Sequence, residues 1–136
     1  MSTNPSLVHA LRVTAHRLAS PEVPYRWSHQ GQCNCGHLAQ TLTAMRPAQI
    51  HEAGLEAPGD WSEHARDYCP TSGLAIDSII TTMLDAGLSS DDLVHLERLS
   101  DPKVLSALPL TERNLDYRDR HDVVRYLRLW ADRLER

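Results

Sequence analysis

The chain has 136 residues, 41% of them apolar and 24% charged, with a net charge of −4. That is the composition of one ordinary folded domain, able to build a core without disulfide staples, and no apolar run nears the ~20 residues of a membrane-spanning helix. The acidic balance argues against gripping nucleic-acid phosphates, and three cysteines, an odd count, do not make a secreted disulfide framework.

The chain start has no secretory-signal pattern, so a cytoplasmic protein is expected, with neither nucleic acid nor membrane as partner. Leu7, Leu11 and Leu18 share a face, which predicts a helix from about Ser6 to Ala19, closed by Ser20-Pro21. The next stretch, "SPEVPYRWSHQGQCN", keeps no periodicity and reads as a long irregular loop at about residues 20–35. Loops of that length are uncommon in small domains and tend to be functional when ordered.

A second helix is expected from Cys35 or Gly36 to about Arg46, and a short one from Pro47 to Ala53 with Gly54 as its stop. Asp60 is the expected N-cap of a helix reaching Tyr68, since Pro70 pushes Cys69 out of helical geometry. Ile76, Ile79, Ile80 and Met83 form the most apolar stripe, expected to be the central buried helix packed by the first and last helices. Two short helices follow, broken at Ser100-Asp101, and a last helix runs from about Asp119 to Leu134. The fold expected is all-α, one domain over residues 1–136, built from about six or seven helices.

"HQGQCNCGHLAQ", residues 29–40, carries the chemistry. Cys33, Cys35 and His37 form one cluster of soft ligands, and His64 with Cys69 forms a second. Zinc takes four nitrogen or sulfur donors from two such short clusters, so these five residues are the candidate ligands of a zinc or iron site. In an extended segment residues 33, 35 and 37 would point to one side. Whether such a metal is structural or catalytic depends on whether four protein ligands close the site or three leave a position for water.

The same residues admit two other readings. A helix start favours the thiolate, so Cys35 is the candidate nucleophile or redox partner of a metal-free cysteine enzyme, with a histidine as base. The run Gln30-Gly31-Gln32-Cys33 resembles the stretch before the nucleophile of papain-like proteases, but Gly36-His37 then departs from it and no strands follow, so that family is not assigned. Alternatively, the cysteines pack as small hydrophobes in a protein-interaction module.

Elsewhere the chemistry is sparse. His51-Glu52 lacks the second histidine of a metalloprotease motif, and no Gly-rich phosphate loop appears, so no nucleotide cofactor is expected. The segment from Ser89 to Leu108 is too acidic for a DNA-reading hairpin. Arg118, Arg120, Arg125, Arg128 and Arg133 interleave with acids as a solvated face, while Trp130 and Leu134 leave open a homodimer through the last helix. Metal binding is the leading expectation, with a metal ion as partner.

Overall fold

Each periodic segment of the sequence forms a helix in the computed structural model, which describes residues 5–136. In chain order these are α1 (Pro5–Leu18), α2 (Asn34–Thr43), α3 (Pro47–Leu55), α4 (Trp61–Arg66), α5 (Ala75–Asp85), α6 (Ser90–Arg98), α7 (Pro102–Leu105) and α8 (Arg120–Glu135). A 3₁₀ turn at Leu110–Glu112 lies between α7 and α8, and there is no strand among the described residues. The fold is all-α. No helix among them is long and apolar enough to cross a membrane.

Local chemistry sets the boundaries. Asp60 accepts from the Glu63 amide, Ser89 from that of Asp92, and Asp119 from that of His121, each satisfying a donor that a helix start leaves unpaired. The capping box at Ser89 is complete, because Asp92 accepts in turn from the Ser89 amide. α2 ends at Thr43, earlier than the expected Arg46, because Ala44 turns into the left-handed region at φ 60°. Gly54 does not stop α3 as expected; it lies inside the helix, where a Cβ would strike the Gln30 side chain.

The described residues share one hydrophobic cluster. Its largest helix pair is α1 against α8, whose Leu11, Leu18, Leu127 and Trp130 are all buried in the cluster. The Ile76–Met83 stripe is buried as its periodicity predicts, but its partners are α2, α3 and α4 rather than the first and last helices. The central element is α2, which touches α1, α3, α5 and α6. Its buried face is made of small residues, Cys35, Gly36 and Ala39, with Leu38, and small side chains let neighbouring backbones come close on several sides. The cysteine-rich stretch is thus the middle of the fold. Trp130 is spent inside the chain, edge-on to Tyr126.

Candidate functional site

The segment between α1 and α2 is irregular but tied down from every side. The Arg120 guanidinium donates to the carbonyls of Leu18, Ser20 and Val23, and the Tyr25 hydroxyl donates to Tyr117 O at 2.6 Å. Gln30 is the junction with the rest of the molecule. Its amide donates to His51 Nδ1 at 3.0 Å, its carbonyl accepts from Trp61 Nε1 at 2.9 Å, and its side-chain oxygen pairs with His64 Nε2 at 2.9 Å. Gly31 and Gly36 are required by packing, since a Cβ on either would collide with backbone, that of Pro47 and of Gln30–Gly31 respectively. Side chains therefore replace secondary structure as partners of the loop's polar backbone.

The five sequence candidates lie along this junction but face different partners. Cys33 is the N-cap of α2; its sulfur accepts from the Gly36 amide at 3.3 Å and donates to Gln30 O at 3.7 Å. Cys35 is fully buried and donates to Leu93 O at 3.6 Å. His37 turns the other way, with Nε2 against Pro24 O at 2.8 Å. His64 shares Gln30 with Cys33, so the loop and α4 do meet, but through an amide side chain. Cys69 is exposed beside the Thr71 hydroxyl at 3.5 Å.

Among the described residues no three or more of His, Cys, Asp and Glu converge as a metal site. The reason is local geometry. Residues 34–37 are already helical, so Cys33, Cys35 and His37 fan out around an axis instead of sharing the side that an extended strand would give them.

The thiol electrostatics also differ from expectation. Burial pushes Cys33 up to about 12 against the smaller opposing effect of the Gly36 amide, and pushes Cys35 well above the ordinary thiol range. At this helix start desolvation outweighs the amide donors, so both thiols are held neutral. Cys69 behaves oppositely: hydrogen bonds from the Thr71 hydroxyl and amide lower it.

Beside Cys33 lies a cavity of about 200 Å³, walled by Trp27, Gln30, Cys33, Asp60, Trp61 and Glu97. Glu97 is buried, 3% exposed, and sits at the end of α6. Its two carboxyl oxygens accept from the Ser62 hydroxyl at 2.9 Å and the Ser62 amide at 3.1 Å. Burial raises its pKa despite those bonds, and the nearby Asp60 side chain raises it further. Asn34 fixes the backbone there, donating to Leu96 O at 2.9 Å and Glu97 O at 3.1 Å.

In the sequence, Glu97 counts only among the acids that make the Ser89–Leu108 segment unsuited to reading DNA. The signal was spacing: Leu93, Leu96 and Glu97 stand at i, i+3 and i+4, which puts the carboxylate on the buried stripe. Compared with protein-family models, curated proteins and solved structures, the chain matches none.

Proposed function

We propose that the protein binds a small molecule in the Trp27–Trp61 cavity, and that Glu97, partnered by Asp60, gives or takes a proton there. The observation that carries this reading is a buried carboxyl group, Glu97, in the wall of a cavity that a second acid, Asp60, also lines. A buried acid whose proton affinity is raised, beside a second acid in one cavity, is a recurring arrangement for acid–base chemistry. Indole rings and a neutral Cys33 thiol complete a mixed apolar and polar lining of the kind that holds small ligands. The tethered loop supports it too, since a proton-transfer site needs its groups held in place before the ligand arrives. Zinc or iron binding at Cys33, Cys35, His37, His64 and Cys69 has no comparable geometric support.

The test is a fragment screen by NMR on labelled protein, repeated on Ser28→Trp, which fills the cavity mouth from an exposed lining position. Fragments that perturb Trp27, Gln30 and Trp61 in the native protein and lose binding in Ser28→Trp support the reading. Hits spread over the surface, unchanged by the bulky side chain, overturn it.

A further inference from the structure

Trp27, which walls the cavity, also carries charges of opposite sign to those inside it. The guanidinium of Arg98 lies over the rings of both Trp27 and Tyr117, at 5.3 and 4.9 Å from their centroids. That of Arg118 lies over the same two rings, at 5.9 and 5.4 Å. The rings are themselves in contact, with centroids 4.8 Å apart, and Trp27 also walls the cavity.

Two like charges are thus gathered on one aromatic pair. Cation–π attraction holds each guanidinium, and the Tyr117 hydroxyl accepts from Arg98 at 2.9 Å. Their neutralisation is incomplete. The carboxylate nearest Arg98 is Glu97 at 3.8 Å, whose oxygens are engaged by Ser62. Arg118 forms no ion pair among the described residues. Guanidiniums held in place by stacking, with donors left over, are suited to a carboxylate. Inside the cavity the polarity reverses: Asp60 beside two indoles favours an ammonium group.

We infer that the ligand is a small zwitterion, its carboxylate anchored by Arg98 and Arg118 and its ammonium group directed to Asp60. This rests on the cavity being the binding site and adds the ligand class. The volume of about 200 Å³ sets the size, below the range of drug-sized pockets.

The experiment titrates the labelled full chain, at constant ionic strength, with ω-amino acids from glycine to ε-aminocaproate. Butyrate and butylammonium supply the single charges, and the indole and amide signals of Trp27, Trp61 and residues 97–98 report binding. One chain length is expected to bind about tenfold or more tightly than either single-charge compound, as two charge-assisted contacts should. Arg98→Gln with Arg118→Gln removes that advantage and leaves butylammonium binding unchanged. Arg118→Gln alone reduces it, which guards against misfolding of the double variant, and Arg133→Gln on α8 has no effect. Equal affinity of the amino acids and butylammonium, or no loss in Arg118→Gln, overturns the zwitterion while leaving a cavity supported by fragment binding intact. No site-specific binding of any of these compounds also overturns it, and the Ser28→Trp comparison then decides the cavity separately.

Discussion

The imidazoles of His29 and His51 stack with centroids 4.0 Å apart and planes 17° from parallel, and both receive hydrogen bonds from consecutive backbone amides. Gln30 N–H donates to His51 Nδ1 at 3.0 Å, and Gly31 N–H donates to His29 Nδ1 at 3.1 Å. An imidazole that accepts at Nδ1 carries its proton on Nε2 and is neutral. Charging the His29 ring would turn an acceptor into a donor facing the Gly31 amide.

The loop is therefore acid-sensitive. Burial, then His51 and Arg26, lower the pKa of His29, and burial lowers His37 to about 4, with Arg17 and Arg120 adding to it. A histidine whose folded pKa lies below its unfolded value near 6.5 contributes stability above that value, and loses it as the pH falls toward the folded pKa. Denaturant unfolding should show stability falling between pH ~6.5 and 4, with His37 alone responsible for on the order of 2–3 kcal/mol. Protection of the Gly31 amide against exchange, relative to the free chain, should fall over the upper part of that window. A flat profile from pH 7 to 4 would show that His29 and His37 are not held neutral by the fold.

Thiol reactivity should run opposite to the order suggested by the cysteine-rich stretch. Cys69 is exposed and has a lowered pKa, whereas Cys33 and Cys35 are buried with raised ones. One thiol per chain should react quickly with a disulfide reagent, and Cys69→Ser should abolish that phase. Chelator should leave the rates unchanged. Fast joint labelling of Cys33 and Cys35 after chelation would point back to a shared metal.

Much of the fold was legible because its signals are local. Asp60, Ser89 and Asp119 announce helix starts, and the Ile76–Met83 stripe announces a buried helix. The partners of that helix were not legible, since Cys35, Gly36 and Ala39 of α2 read in sequence as site chemistry rather than as the small face that lets neighbouring helices come close. The site was harder for a related reason. Sequence spacing placed Cys33 and His64 near one another, and Gln30 does join them, but the directions of Cys35 and His37 depend on α2 already being helical at Asn34. The role of Glu97 depends on Ser62 and Asp60 arriving from a distant segment.

Two glycines separate packing from backbone preference. A Cβ on Gly31 meets the Pro47 backbone, whereas Gly73 has open space around it and a φ of +81°. Gly31→Ala should cost about 3 kcal/mol or more, because a main-chain neighbour cannot rotate aside. Gly73→Ala should cost about 1 kcal/mol, from the left-handed backbone alone. Thermal or denaturant unfolding of the two variants measures the difference, and equal losses would mean that the loop does not dock on α3 as described.

The most direct measurement is a titration of the Glu97 side-chain carboxyl by carbon NMR in the native protein and in Asp60→Asn. A carboxyl raised by burial and by a neighbouring carboxylate keeps its proton above the ~4.3 of a free glutamate. Its contribution to stability is then fully present at pH values below the free value and is lost as the pH rises through the folded one. The midpoint should lie above ~4.3 in the native protein, fall when Asp60 becomes neutral, and move when the cavity is occupied by a bound fragment. A midpoint at or below ~4.3 that ignores both Asp60→Asn and ligand would contradict the proposal, leaving Glu97 as a carboxylate that only ties α6 to α4.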